Sequence, residues 1–199
     1  MEFEMTDEQD KSSKNGENGV VEEALIKSRT VIITGEINDK LARTTVARLL
    51  ALSEINNDPI SLYISSPGGH VESGDMVHDM IKFIRPTVRT IGSGWVASAG
   101  ALIFVGAKLE NRFCLPNTRF LLHQPSGSIG GSATELKIQA EQLTKMRERF
   151  EHLFATATGQ TSKKIHEDTA RDFWLNTEEA LEYGLLGSVI KSSNELPMQ

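Results

Sequence analysis

Short apolar runs alternate along this chain with longer amphipathic stretches. Runs at 30–34, 60–65 and 87–92 predict buried β-strands, because each is rich in β-branched residues and two of them end at a turn signal. The stretches from about 39 to 56 and from about 70 to 84 have apolar residues at helical spacing and predict helices. Strands that alternate with helices indicate an α/β domain.

The later part of the chain predicts shorter elements. A short apolar helix is expected over residues 98–107, and two short strands are expected around 112–115 and 118–122. A further helical segment precedes a loop around Asp172, and a short helix is predicted near 178–183. These elements continue the alternation of strands and helices seen in the first part.

One predicted helix is much longer than its neighbours. Ser132 and Glu135 have the spacing of a capping box, and Gly159 provides a stop, so a helix is predicted over residues 133–158. At 1.5 Å per residue such a helix is roughly 40 Å long. A small domain does not need that length, so part of the helix is expected to project and contact a partner.

The N-terminal region differs from the rest in composition. Residues 1–19 contain six acidic residues and two lysines, which is −4 of the formal net charge of −6. This polar stretch has too few apolar groups to offset the entropy of ordering. We therefore predict a disordered acidic segment over residues 1–22, followed by a single domain over 23–199.

Composition and motifs exclude several classes of function. No apolar run approaches the roughly 20 residues needed to span a bilayer, and no secretory signal is recognised, so a cytoplasmic location is expected. No basic stripe predicts nucleic-acid binding. The chain has neither a phosphate-binding loop nor a metal-binding set of histidines and cysteines that sequence motifs recognise. The single cysteine, Cys114, is interpreted as a core residue.

Ser98 and two glycines are candidates for chemistry. Ser98 lies among small residues where a strand gives way to an apolar helix, so that its hydroxyl can face substrate near free backbone N–H groups. Gly68 and Gly69 follow a strand, and adjacent glycines let the backbone approach a ligand closely. The simpler interpretations are a packing serine and an ordinary turn, and these residues alone do not decide between the two.

A nucleophilic serine needs a base and an orienting acid. His123 is the first candidate among five histidines because it ends an apolar strand, where a rigid element can deliver it to a cleft. His70, beside the glycines, is the second. The chain has 27 acidic residues, and spacing alone does not choose among them.

Several short motifs follow one another in a fixed order along the chain. They are Tyr63–Gly69, Ala97–Gly100, Arg112–Asn117, His123–Pro125, Asp168–Asp172 and Ala180–Leu185. In order and approximate spacing they resemble the Clp protease proteolytic subunit family (ClpP), over about residues 28–192. The resemblance implies an α/β, ClpP/crotonase-like fold of repeated β-β-α units, with the long helix as a projecting "handle".

The resemblance also implies site residues and a reaction. Ser98 matches the family's nucleophile, His123 its general base and Asp172 its orienting acid, which makes the chain a serine endopeptidase acting through an acyl-enzyme. Gly69 and Ala99 are implied to supply the N–H groups of an oxyanion hole. The strand formed by residues 126–131, including Ser126, Gly127 and Ser128, is implied to bind the substrate backbone by β-addition.

The implied assembly is two stacked heptameric rings around an inner chamber. The implied partner is a separate AAA+ unfoldase, ClpX-like or ClpA/ClpC-like, which uses ATP to deliver unfolded polypeptides. The resemblance thus implies that the subunit itself requires no metal or organic cofactor. The acidic residues 1–22 stand where family members usually have an apolar gating segment. Ser61 stands where an aromatic residue is common, and Trp95 where a smaller or polar one is usual. These departures favour an atypical paralogue, either one that docks an unfoldase poorly or one that works in a mixed assembly with a second ClpP.

Two other functions are weighed against an active peptidase. One is a catalytically weak or latent ring subunit, which the altered N-terminal region favours and the complete set of Ser98, His123 and Asp172 opposes. The other is an acyl-CoA enzyme of the related crotonase fold. That family does not need the three residues together, so it is the weakest of the alternatives.

Overall fold

A computed structural model describes residues 19–126 and 130–197 of the chain. Within these ranges, seven strands form one sheet: β1 Thr30–Thr34, β2 Ile60–Ser66, β3 Val88–Ala97, β4 Arg112–Cys114, β5 Arg119–Leu122, β6 Phe173–Leu175 and β7 Ser188–Val189. The α-helices of the described residues are α1 over residues 19–27, α2 Asp39–Ile55, α3 Val71–Phe83, α4 Ala99–Phe104, α5 Ala133–Thr158, α6 Ser162–Asp168 and α7 Thr177–Glu182. Short 3₁₀ turns occupy Leu109–Asn111 and Ser193–Glu195.

The sheet branches at β3. Strands β1, β2, β3, β4 and β7 are parallel neighbours in that order. β3 pairs with β4 through Thr90–Gly92 and then with β5 through Trp95–Ala97. β5 also pairs with β6, in the antiparallel sense. The end of β3 therefore lies beside β5 and close to β6, and α4 begins there.

The two faces of the sheet are covered differently. The main core lies between one face and the helices, and its largest fully buried side chains include Phe104, Phe120 and Phe154. A smaller cluster on the other face is formed by Ile91, Phe113 and Ile190, and the partly buried Tyr63, Leu115 and Leu196 pack against it. The α/β class predicted from the sequence is confirmed, since strands of a largely parallel sheet alternate with helices along the chain.

Helix α5 projects from the body of the domain. It has the predicted bounds, the Ser132–Glu135 capping box and a left-handed Gly159 at its C-terminus. None of residues 133–149 is buried, whereas Phe150 and Phe154 pack into the core. The N-terminal part of this helix therefore has no covering element within the described part of the chain.

The N-terminal boundary predicted from composition is partly wrong. Residues 19–27 form a helix, so residues 19–22 of the segment expected to be disordered are helical. Glu22 contacts Arg48 of α2 at 2.6 Å, and Leu25 lines an apolar groove between the two helices. The prediction of disorder relied on the acidic composition and gave too little weight to the apolar residues at helical spacing that follow Gly19. Residues 1–18 lie outside the described residues.

Two strands and the length of a third differ from the sequence prediction. β6 and β7 were not predicted, because runs of three and two residues have no measurable periodicity. β3 runs to Ala97 rather than Gly92, and the apolar helix after it is shorter than predicted. Among the described residues, no helix is both long and apolar enough to cross a membrane.

Candidate active site

Ser98 lies at the junction of β3 and α4 in a strained backbone conformation. Its φ is 53° and its ψ is −119°, and positive φ is uncommon for a residue other than glycine. The Ser98 N–H donates to the Leu121 carbonyl at 2.9 Å, and the Ser98 carbonyl accepts from Leu102 N–H at 3.0 Å. The residue is thus bonded to β5 on one side and to α4 on the other. Strain held in this way is characteristic of functional positions.

Gly68 fits closely against Ser98. It has a φ of 99°, and a Cβ placed on it would lie 2.6 Å from Ser98 Cβ and 3.1 Å from Ser98 Oγ. Only a residue without a side chain leaves the serine undisturbed. Its own N–H donates to Ser66 Oγ at 3.1 Å, which fixes the turn.

Gly69 and Ala99 present backbone N–H groups near the same junction. A parallel bridge between Gly69 and Ile37 uses the Gly68 carbonyl and the His70 N–H, at 2.8 and 2.9 Å. The Gly69 N–H therefore points away from that bridge. Ala99 is the first residue of α4, so its N–H has no carbonyl one turn earlier within the helix.

His123 and Asp172 form a contact across two strand ends. Strands β5 and β6 pair Leu122 with Phe173, so the next register position places residue 123 opposite residue 172. His123 Nδ1 and Asp172 Oδ1 are 3.2 Å apart. If the carboxylate accepts the Nδ1 proton, Nε2 is the nitrogen left with a lone pair, as a general base requires.

The serine is joined to this pair through the backbone. Ser98 N–H bonds to Leu121, which is two residues before His123 on the same strand. Within residues 19–126 and 130–197, no hydrogen bond links Ser98 Oγ to His123. The hydrogen bond between a catalytic serine and its base often tightens only when substrate binds, so this geometry is compatible with a triad.

Ser126 lines an open cavity beside the histidine. The cavity has a volume of about 560 Å³ and is formed by residues 123–126 and 169–172. Gln124 N–H donates to the Thr169 carbonyl at 3.2 Å, which holds the two segments together. Gly127 and Ser128, the other residues predicted to bind the substrate backbone, lie outside the described residues.

The other candidate histidine has different partners. His70 Nδ1 is 2.8 Å from Ser73 Oγ and 3.2 Å from Asp39 Oδ1, and its Nε2 is 3.1 Å from Glu72. Both ring nitrogens of His70 thus face polar groups of α2 and α3. This leaves His123 as the better candidate for the base.

Two further features concern the single cysteine and the possible metal-binding side chains. Cys114 is fully buried in β4, as predicted for a core residue, and burial raises the pKa of its thiol to about 11. A thiol that stays protonated is a poor nucleophile. Among the described residues, no group of three histidine, cysteine or acidic side chains is arranged to hold a metal ion.

The comparison with known proteins identifies the family. The family model described as Clp protease matches residues 13–193. The chain belongs to the Clp protease family. It is 68% identical over 172 residues to the "ATP-dependent Clp protease proteolytic subunit" of Paracoccus denitrificans, covering 86% of each chain. It is 50% identical over 196 residues to "ATP-dependent Clp protease proteolytic subunit 2" of Pseudomonas aeruginosa, covering 97% of this chain and 98% of the relative.

A solved structure supports the same conclusion for the fold. "ClpP1 from Listeria monocytogenes" superimposes with a TM-score of 0.81 at 48% sequence identity, covering 89% of this chain and 99% of that one. The predicted ClpP fold is therefore confirmed. Membership of the Clp protease family gives the chain the function of a proteolytic Clp subunit and the activity of a serine-type endopeptidase. The acyl-CoA alternative finds no support in these matches.

Proposed function

We propose that Ser98, His123 and Asp172 are the catalytic triad of this Clp protease subunit. The observation that supports this assignment is the contact between His123 and Asp172. His123 lies two residues beyond Leu121, whose carbonyl accepts from the Ser98 N–H. Ser98 Oγ attacks the scissile carbonyl while His123 Nε2 accepts its proton. Asp172 orients the imidazole and stabilises the imidazolium that forms.

The remaining steps follow the chemistry of acyl transfer. His123 returns the proton to the departing amine, the peptide bond breaks, and an ester joins the acyl group to Ser98. Water, deprotonated by His123, then attacks this ester and releases the carboxylate product with Ser98 regenerated. The Gly69 and Ala99 N–H groups are proposed to donate to the oxyanion at both tetrahedral stages. Proton transfer and backbone N–H groups are sufficient for this cycle, so no metal or organic cofactor is needed.

Substrate is proposed to bind as an added β-strand. Ser126 borders the cavity beside His123, and residues 126–128 continue directly from this segment. Backbone pairing depends little on the identity of side chains, so it suits the degradation of many unfolded polypeptides.

The proposed assembly is a pair of stacked heptameric rings in the cytoplasm. The exposed part of α5 supports its role as the handle, because a long helix that no element of the described residues covers can pack against a facing ring. A separate AAA+ unfoldase, ClpX-like or ClpA/ClpC-like, is proposed to supply unfolded chains at the expense of ATP. Relatives named as numbered subunits 2 and 3 support a mixed ring with a second ClpP as the alternative assembly.

Hydrolysis of a quenched fluorogenic peptide tests the triad. Asp172→Asn is expected to lower kcat by about 10⁴-fold, because the amide favours the wrong histidine tautomer. The matched control is Glu178→Gln, which neutralises an exposed acid on α7. Near-normal turnover by Asp172→Asn, with circular dichroism unchanged, would show that another acid orients His123.

A further inference from the structure

One face of the branched sheet is left open at the active-site end. Side chains on a strand alternate between its two faces, and register partners share a face. Phe120 and Leu122 point into the main core, so Arg119, Leu121 and His123 lie on the opposite face. This open face is continuous with the proposed catalytic pair.

Trp95 and Trp174 lie on the same open face. Trp95 is the register partner of Arg119 on β5, and Trp174 is the register partner of Leu121. Both tryptophans are exposed, at 44% and 37% of their surface. Asp172 lies two residues from Trp174 and therefore on the same face. Two large aromatic side chains exposed on one face can form an apolar patch, and such patches mark surfaces that meet a ligand or partner.

Arg119 is held in a defined position on this surface. Its guanidinium carbon lies 4.3 Å from the centroid of the Trp174 ring, which is within the range of a cation–π contact. Arg119 is exposed and, among the described residues, has no carboxylate partner. The contact with the indole ring holds the guanidinium at this surface, and guanidinium N–H groups match the geometry of a carboxylate.

We propose that Trp95, Arg119 and Trp174 form a substrate subsite that selects polypeptide segments with a glutamate or aspartate side chain close to the scissile bond. Arg119 binds the carboxylate, and the two indole rings cover the aliphatic part of that side chain and its neighbours. Charge complementarity and continuity with the His123–Asp172 pair favour substrate over other occupants. The subsite rests on the proposed triad, and it adds a specificity that backbone pairing lacks.

The two tryptophans allow a direct binding measurement. The chain contains only two, Trp95 and Trp174, so intrinsic tryptophan fluorescence reports on this surface alone. The Ser98→Ala variant is titrated with peptides that are identical except for one residue, which is glutamate, glutamine or lysine and is scanned along the peptide. At one position we expect the glutamate peptide to shift the emission saturably and to bind about tenfold more tightly than the lysine peptide.

Variants separate this subsite from a general effect of charge. Adding Arg119→Gln to Ser98→Ala is expected to remove the preference for glutamate, while peptide affinity measured by anisotropy persists. Arg85→Gln is the matched control, since it removes an exposed cation that contacts Glu54 away from this face. It should keep the preference.

Three results would overturn the proposal. The first is equal affinity for glutamate and lysine peptides at every position. The second is peptide binding by anisotropy with no change in tryptophan emission. The third is a change of ring size with Arg119→Gln, which would place this surface at a contact between subunits. A glutamate preference in Ser98→Ala, combined with a parent chain that hydrolyses no peptide either alone or with a second ClpP subunit present, would refute the proposed triad but support the subsite.

Discussion

At the scale of single residues, the site depends on backbone conformations that few residues adopt. Ser98 has a positive φ, which costs of the order of 1–3 kcal/mol and persists only where surrounding contacts hold it. The bonds to Leu121 and Leu102 do so here. Gly68 completes the arrangement because its missing side chain leaves space for the serine. Backbone geometry therefore positions the hydroxyl that is proposed as the nucleophile.

Gly68→Ala tests this dependence. The added methyl group would overlap Ser98 Cβ, so the serine must move, and a displacement of about 1 Å can lower the rate about 10²-fold. Peptidase activity should fall by that factor while the circular dichroism spectrum is kept. Gly19→Ala is the control, because a Cβ there meets nothing within 4 Å. Equal activities of the two variants would contradict a positioning role for Gly68.

At the scale of elements, the β5–β6 pair and the long helix have the clearest consequences. The antiparallel register of β5 with β6 is what brings His123 to Asp172. Helix α5 is anchored at its C-terminal end, where the buried Arg112 guanidinium donates to the Ala157 carbonyl at 2.7 Å and to the Ala107 carbonyl at 2.8 Å. Its exposed N-terminal part is left available for contacts with another subunit.

Shortening α5 tests its proposed role as a handle. Deletion of residues 137–143 removes about two turns, since a helix has 3.6 residues per turn, and so preserves the phase of the remainder. We expect particles with the mass of a single ring in light scattering. Lys145→Ala, an exposed substitution on the same helix, should leave the assembly unchanged. Recovery of full double rings from the deletion variant would contradict the assignment.

Local patterns predict most elements but not the contacts between them. Helices α2, α3 and α5 follow from apolar spacing and caps, so their bounds agree with the structure within a few residues. β6 was missed because three residues are too few to define a period. Since β6 positions Asp172, periodicity could not select this acid among the 27 in the chain. Only the resemblance to ClpP selected it.

At the scale of the whole molecule, the geometry bears on whether the subunit can hydrolyse peptides without a second ring or a second ClpP. The chain has the ClpP fold, and the histidine and acid are in contact, but Ser98 Oγ and His123 share no hydrogen bond among the described residues. Residues 126–128 and helix α5 both follow His123 along the chain. Packing of α5 against a second ring, or binding of substrate along residues 126–128, is therefore expected to change the position of the segment that follows His123. Assembly and alignment of the triad are therefore expected to be linked.

The most direct test is labelling of the purified protein with a fluorophosphonate, which reacts with activated serines. The triad predicts one label on each chain, at Ser98 by mass spectrometry, and none on Ser98→Ala. A chain that is competent only in a mixed ring would be labelled at Ser98 once a second ClpP subunit is added. Labelling that persists in Ser98→Ala, or no labelling in either assembly, would contradict the assignment of Ser98 as the nucleophile.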